Sequence, residues 1–181
     1  MSRYVIIGGG VAGVTAARKL AEQVSPDDEI HVLSAEAFPY HPRPLLWRLI
    51  AGTMEQEQLY FQPLSWYEEK GIQFHLDADV TALDTEDHRL TLSNGSDMVY
   101  DRLLLATGAR PFVPPVEGKD KEGVFTLRTL EGALEIKAYL ESVSRAVVIG
   151  GGLLGLETAR ALHSAGPDVH VIEIADHLLP R

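Results

Sequence analysis

Apolar runs at the two ends of the chain alternate with helical patterns in the same order. Residues 4–7 form a short apolar run that leads into glycines, and a helical pattern follows over residues 11–23. After a turn at residues 25–28, Glu29–Leu33 predicts a second buried strand. The order of strand, glycine turn, helix and strand returns over residues 145–175. Each end therefore predicts the opening β-α-β unit of a parallel sheet.

The middle of the chain predicts shorter elements. Residues 38–47 contain too many prolines for helix until about Leu45, and a short helix is predicted from there to Ala51. A second helix is predicted over residues 63–71. Three β-like runs follow at 72–76, 79–84 and 89–93, and an Asn-Gly pair at 94–95 signals a hairpin. Beyond them we expect a buried strand within 101–111 and an amphipathic helix over 129–142.

Composition narrows the function classes. The hydrophobic fraction is 45% and the charged fraction 23%, as in ordinary globular proteins. With 26 acidic and 16 basic side chains the net charge is −10, which disfavours nucleic acid and anionic membrane as general partners. No apolar run approaches the ~18 residues of a membrane span, and the short apolar run at the N-terminus is unlike a signal peptide. A cytoplasmic location is the default expectation.

The chain contains no cysteine. Disulfides, thiolate zinc sites, cysteine-ligated clusters and a redox-active cysteine pair are therefore excluded within these residues. The seven histidines do not cluster along the chain, and we expect no metal site.

Two glycine motifs carry the chemical signal. Each follows a predicted strand, precedes a predicted helix and has the spacing G-x-G-x-x-G. The first glycine permits the tight turn, the second lets the backbone approach a pyrophosphate, and the third lets the helix pack closely. The alternative is a tight connection that binds nothing. The motifs consist of Gly8, Gly10 and Gly13, and of Gly150, Gly152 and Gly155.

An acidic residue at the end of the second strand completes this fingerprint, because it accepts a hydrogen bond from a ribose hydroxyl. Glu173 directly ends the last predicted strand and would repel a 2′-phosphate, which favours NADH over NADPH. Near the first motif the nearest acid is Glu36. Either acid could instead be a solvated side chain at a strand end.

Four motifs in order, VIIGGGVAG, ATGARP, LRTLEGA and VVIGGGLLGLE, give the chain a family resemblance. The chain resembles the pyridine nucleotide-disulfide oxidoreductases, flavoproteins with two dinucleotide-binding domains. The segment YHPRPLLWRLIAG is most similar to the flavin modules of nitrite, rubredoxin and ferredoxin reductases. The resemblance implies an α/β fold: a Rossmann-like FAD-binding domain with a small β-meander over residues 1–115, then a linker helix and an incomplete NAD-binding domain over 116–181.

The resemblance also implies roles for individual residues. The first glycine turn with Ala12 would hold the FAD pyrophosphate, and Glu36 would bind the adenosine ribose. Val80 would contact the adenine through its backbone. The second turn would hold NADH, with Glu157 near the nicotinamide and the flavin as the candidate catalytic residue. Five further residues would lie along the FAD: Arg43, Pro44, Thr107, Gly108 and Arg128.

Several positions depart from the family pattern. The Cys-x4-Cys of disulfide-reducing members is absent. Trp47 stands close to the place where many relatives have a lysine near the flavin, so Glu157 is expected to lack its usual cationic partner. Leu153 and Leu154 occupy the stretch where relatives carry an aromatic residue that covers the flavin.

Two functions are consistent with these features. The first is an FAD-dependent NAD(P)H oxidoreductase that passes hydride from NADH to FAD and electrons onward to an acceptor protein or domain without a cysteine pair. The second is a non-catalytic nucleotide-binding or assembly subunit. The second half begins a domain and stops after two strands, so we expect a fragment, a completing subunit or a homo-oligomer, with exposed apolar sheet edges and weak FAD binding by the isolated chain.

Overall fold

The computed structural model describes residues 1–180, which form two compact units. The first unit comprises residues 1–41 and 60–109, and the second comprises residues 42–59 together with the chain from residue 110 onward. This division groups residues by contact. The predicted boundary between domains at residues 115 and 116 stays a prediction.

A four-stranded parallel sheet forms the centre of the first unit, with the strand order β3-β2-β1-β7. The strands are β1 (Arg3–Ile7), β2 (Glu29–Leu33), β3 (Ile72–His75) and β7 (Arg102–Leu105). Helix α1 (Val11–Ala21) connects β1 to β2, and α3 (Leu64–Glu69) precedes β3. The predicted α/β class and the opening β-α-β unit are confirmed, with α1 ending two residues earlier than the pattern indicated.

Alternation along the strands gives this sheet two buried faces. Ile6, Ile30 and Val32 belong to one apolar cluster with Val14 and Ala17 of α1. The neighbouring positions Val5 and Leu33 belong to a second cluster, which includes Leu90 and Tyr100 from the β-meander. Because side chains on both faces are covered, the strands read as continuous apolar runs.

The β-meander consists of β4 (Val80–Asp84), β5 (Arg89–Leu92) and β6 (Asp97–Val99), paired antiparallel in that order. The predicted hairpin at Asn94-Gly95 is confirmed: it joins β5 to β6, and Gly95 has a φ of 82°. Strand β6 was not predicted, because three residues are too few to show an alternating pattern.

The described part of the second unit contains three α-helices and a two-stranded parallel sheet. The helices are α2 (Leu46–Ile50), α4 (Leu130–Leu140) and α5 (Leu153–Ser164), and the strands are β8 (Arg145–Ile149) and β9 (Asp168–Ile172). Short 3₁₀ turns at Arg43–Leu45 and Glu57–Leu59 flank α2, so the helical path begins slightly before the predicted Leu45. Thr129 caps α4, since its side-chain oxygen accepts a hydrogen bond from the Gly132 N–H at 3.2 Å.

The prediction that residues 101–111 contain a buried strand is wrong about burial. Strand β7 forms, but Leu104 is 41% exposed and Leu105 is 61% exposed. Among residues 1–180, β7 pairs with β1 alone, so one of its edges is open. Large apolar side chains are also exposed on the two-stranded sheet, as expected for uncovered sheet surfaces, including Val147, Ile149 and Ile172.

None of the helices in residues 1–180 is both long and apolar enough to cross a membrane.

Two histidines on neighbouring strands of the first unit form a partly buried pair. The ring nitrogens His31 Nδ1 and His75 Nε2 lie 3.0 Å apart, and the rings are stacked at 5.3 Å. Burial lowers the pKa of both imidazoles, and for His31 this outweighs the opposing effect of the nearby Glu29 carboxylate. Arg3, which pairs with Glu29, is the other charge acting on His31.

Stability is expected to fall as the pH drops below about 6.5, where an unfolded histidine takes up a proton and the folded pair resists protonation. The double variant His31→Leu/His75→Leu should show a flatter dependence between pH 7.5 and 5, measured by urea unfolding at each pH. The control His163→Leu replaces an exposed histidine of α5 and should keep the wild-type dependence. A double variant as pH-sensitive as the wild type would show that the pair is not the cause.

Candidate functional site

The glycine turn after β1 is sterically determined at its first and last glycines. Gly8 has a φ of 119°, and a Cβ placed there would collide with the carbonyl group of Ala106, at the end of β7. A Cβ on Gly13 would collide with the carbonyl oxygen of Gly8. The first turn of α1 therefore packs directly against the backbone of the glycine turn, and only glycine fits at positions 8 and 13.

Gly10, the middle glycine of the motif, is under no such constraint from the protein. It is the N-cap of α1 with φ −80° and ψ −173°, a conformation open to any residue, and no protein atom lies within 4 Å of its Cβ position. The first turn of α1 contains no acidic residue, and no side chain caps it. Backbone N–H groups and the positive end of the helix dipole are thus directed to an exposed surface that suits a phosphate.

The second turn repeats this geometry within the second unit. Gly150 has a φ of 111°, and a Cβ on Gly155 would collide with the Gly150 carbonyl oxygen. Gly152 caps α5 with φ −75° and ψ 178°, and again no protein atom approaches its Cβ position within 4 Å. The two turns differ at the first glycine, because within residues 1–180 no atom comparable to the Ala106 carbonyl lies within 4 Å of the Gly150 Cβ position.

A glycine that the motif does not specify is also crowded in each turn, and the constraint is stricter at Gly9 than at Gly151, where the nearest atom is the end of the exposed Leu178 side chain. A Cβ on Gly9 would lie 2.7 Å from Ser34 Cβ and 2.8 Å from Phe74, and a Cβ on Gly151 would lie 2.6 Å from a methyl of Leu178. The sequence does show three consecutive glycines in each turn. What it could not show was which side chains come close to them.

Glu173, the acid at the end of β9, is fixed by backbone groups. Its Oε2 accepts the Gly151 N–H at 2.6 Å and its Oε1 accepts the Ala175 N–H at 3.0 Å. The hydrogen bond from Ala175 contributes most and that from Gly151 next, and together they hold the pKa of the carboxyl below its usual range. The group is therefore charged at neutral pH. The carboxylate therefore connects the end of the strand to the glycine turn.

The equivalent position after β2 is occupied by Ser34, since Ile7 pairs with Leu33 as Ile149 pairs with Ile172. Ser34 Oγ accepts the Glu36 N–H at 3.2 Å. The Glu36 carboxylate lies 3.5 Å from His41 Nε2. Glu36, which was predicted to bind the FAD ribose, therefore lies two residues beyond Ser34, the position that corresponds to Glu173.

The other predicted residues of the first unit lie on three elements. Ala12 is exposed in the first turn of α1. Thr107 and Gly108 follow β7, with Gly108 at φ 72°, and the Thr107 backbone nitrogen lies 3.2 Å from the Gly8 Cβ position. Val80 begins β4 and packs against the cluster that contains Val5. The structure thus brings the 107–108 turn beside the glycine turn.

The remaining predicted residues belong to the second unit. Arg43 Nη1 donates to the Arg128 carbonyl at 2.7 Å, which joins the two segments, and Pro44 lies within the 3₁₀ turn. The Nε of Arg128 is buried and has no hydrogen-bond partner in the described part of the chain. That Arg43, Pro44 and Arg128 reach FAD stays a prediction.

Glu157 has a cationic partner, Arg160, that was not predicted from the sequence. Its Oε2 accepts hydrogen bonds from Arg160, at 2.7 Å from Nη2 and 3.1 Å from Nε. The guanidinium carbon of Arg160 lies 4.4 Å from the ring centroid of Trp47. The partner comes from the same helix, three residues on, a spacing at which side chains regularly meet.

Family comparison agrees with this site geometry. The family model described as pyridine nucleotide-disulphide oxidoreductase matches residues 2–181. The chain belongs to this family. Members of the pyridine nucleotide-disulphide oxidoreductase family bind FAD and NAD(P)H.

Individual members of the family extend the comparison. The chain is 36% identical to a NAD(P)H nitrite reductase of Bacillus subtilis and 36% identical to an NADH oxidase of Methanocaldococcus jannaschii, in each case over 99% of this chain. It spans 22% and 42% of those relatives. Among solved structures, putidaredoxin reductase in covalent complex with putidaredoxin has a TM-score of 0.83 at 33% identity, covering 99% of this chain and 44% of that chain.

Both family cofactors fit the described residues. In each unit a glycine turn of the required shape presents a helix N-terminus, and the middle glycine leaves room that the protein does not fill. Such a turn suits the pyrophosphate that FAD and NAD(P)H share.

Proposed function

We propose that this chain is the nucleotide-binding part of an FAD-dependent NAD(P)H oxidoreductase, in which hydride passes from NADH to FAD. Electrons would then leave for an acceptor without a cysteine pair. The supporting observation is that Gly10 and Gly152 are required neither by backbone conformation nor by neighbouring protein atoms. The close approach of a pyrophosphate accounts for glycine at both positions.

The residues of this chain would bind and orient the two nucleotides. In the first unit the turn from Gly8 to Gly13 would hold the FAD pyrophosphate, with Glu36 at the ribose and Val80 at the adenine. The 107–108 turn would lie along the cofactor. When bound, FAD supplies the acceptor for the hydride and the route for electrons, which is chemistry that no side chain of this chain provides.

In the second unit the turn from Gly150 to Gly155 would hold NADH, with Glu173 at the adenosine ribose. Glu157 would lie near the nicotinamide and the flavin as the candidate catalytic residue. We further propose that the domains divide between residues 115 and 116.

The proposed electron acceptor is a separate protein or domain. One relative is the ferredoxin–NAD(+) reductase component of a biphenyl dioxygenase system, and one similar structure is a reductase joined to putidaredoxin. Exposed Val147, Ile149 and Ile172 support completion of the second sheet by further polypeptide. This last feature also supports the alternative of a nucleotide-binding assembly subunit.

The decisive experiment is anaerobic titration of the FAD-loaded protein with NADH while the visible flavin absorbance is recorded. Loss of the absorbance in proportion to added NADH is expected. Bound FAD that stays oxidised in excess NADH would favour the non-catalytic alternative. Failure to bind FAD even in an equilibrium fluorescence titration would overturn the proposed oxidoreductase.

Glu173→Gln is expected to lower the preference for NADH over NADPH by roughly tenfold, because it removes a charge that repels a 2′-phosphate and weakens a hydrogen bond to the ribose. The measurement compares rates of flavin reduction by the two nucleotides. Glu135→Gln, an equal change of charge at an exposed position of α4, is the matched control. An unchanged preference would remove Glu173 from the proposed nucleotide site.

A further inference from the structure

Trp47, Arg160 and Glu157 form a connected group between two helices of the second unit. Arg160 on α5 donates both of its hydrogen bonds to one carboxylate oxygen of Glu157, through Nε and Nη2. Its guanidinium lies over the indole of Trp47 on α2. The group therefore joins the only candidate catalytic carboxylate to a ring that is distant in sequence.

The ion pair alone would not fix the Glu157 carboxylate. Arg160 is 61% exposed and Glu157 is 33% exposed, and exposed pairs at this spacing contribute only a few tenths of a kcal/mol. Long side chains in water exchange among rotamers, so the carboxylate would sample several positions.

The indole supplies the missing constraint. At 4.4 Å from the ring centroid, the Arg160 guanidinium is well within the range of a cation–π interaction. The ring is partly buried, and the helix that carries it is fixed, because α2 packs against α4 and α5 and its Leu46 and Leu49 are each only 1% exposed. The guanidinium carbon of Arg48 also lies 5.3 Å from the centroid of the same ring. A planar guanidinium resting on an aromatic ring presents its N–H groups in a fixed plane.

We infer that Trp47 and Arg160 are positioning residues that hold the Glu157 carboxylate in one orientation for the reaction with NADH. The inference rests on the proposed function, since it concerns a residue that would act beside the nicotinamide. Trp47 takes part through the ring that restrains Arg160, and Arg160 takes part through its two hydrogen bonds to Glu157.

The kinetic test is a double-mutant cycle in the FAD-loaded protein, followed by stopped-flow reduction with NADH. Arg160→Gln and Trp47→Leu are each expected to lower the limiting rate of flavin reduction, the first by roughly tenfold, as for loss of orientation of a reacting group. The half-saturating NADH concentration should change little. In a Glu157→Gln background neither substitution should lower the rate further. Arg145→Gln, an equal change of charge on β8, should match the wild type.

A second measurement does not depend on turnover. In ¹⁵N-labelled protein the Arg160 Nε–H resonance should be sharp and protected from solvent exchange, and it should broaden in both Trp47→Leu and Glu157→Gln. An unchanged resonance in Trp47→Leu, or an equal loss of rate when Arg160 is replaced in the Glu157→Gln background, would overturn the inference. If the wild type binds FAD but is not reduced by NADH, the proposed function fails, and the resonance alone decides whether the group is ordered.

Discussion

Gly10→Ala is expected to change the free energy of unfolding by at most about 1 kcal/mol and to weaken FAD binding at least roughly tenfold. The backbone at Gly10 suits any residue, and no protein atom lies within 4 Å of the added methyl group. The methyl group would stand where a pyrophosphate must approach the backbone. Stability is measured by urea unfolding without ligand, and affinity by fluorescence titration with FAD.

Gly13→Ala is the matched comparison within the same turn. Its methyl group would collide with the Gly8 carbonyl oxygen, a backbone atom that cannot move aside without opening the turn. A loss of about 3 kcal/mol in the free energy of unfolding is therefore expected, together with loss of FAD binding. The pair separates a ligand requirement from a folding requirement. Wild-type FAD affinity in Gly10→Ala would contradict the assigned site.

The second turn offers the same comparison for the other nucleotide. Gly152→Ala should keep stability and FAD binding while weakening NADH binding, since its Cβ position is also free of protein atoms. Gly155→Ala should lower stability, because its methyl group meets the Gly150 carbonyl oxygen. Loss of FAD binding in Gly152→Ala would show that the two turns do not serve separate nucleotides.

Tyr67→Ala is expected to cost about 3–5 kcal/mol in the free energy of unfolding, the largest effect of a single side-chain truncation in the first unit. The side chain is fully buried in the cluster beneath the parallel sheet. Its ring also lies 4.9 Å from that of Phe74 and 5.1 Å from that of Trp66. Truncation would leave a cavity among rigid elements of the sheet and helix.

Tyr67→Phe tests the hydroxyl separately from the ring. Within residues 1–180 the buried hydroxyl has no hydrogen-bond partner, so its removal should leave stability unchanged or slightly increased. Burial raises the pKa of Tyr67 to about 12. Because an unfolded tyrosine ionises near pH 10, wild-type stability should fall as the pH rises between about 10 and 12, and this contribution should be absent in Tyr67→Phe. A destabilised phenylalanine variant would reveal a hydrogen bond to the hydroxyl.

The sequence alone determined the parts of the protein that depend on local geometry. A strand that turns at once into a helix needs glycine where φ is positive and where the helix meets the turn, and six residues are enough to state that requirement. Gly8 and Gly13 meet it, as do Gly150 and Gly155. The family and the opening β-α-β unit followed from the same motifs.

Tertiary structure alone decided the features that depend on residues far apart in the chain. The leucines of β7 read as a buried strand, but burial depends on what covers the strand, and β7 has one described neighbour. His31 and His75 meet because β2 and β3 are adjacent. Trp47 reaches Arg160 because α2 packs against α5. An apolar pattern states which side of an element avoids water, whereas packing of the whole chain decides which partner that side meets.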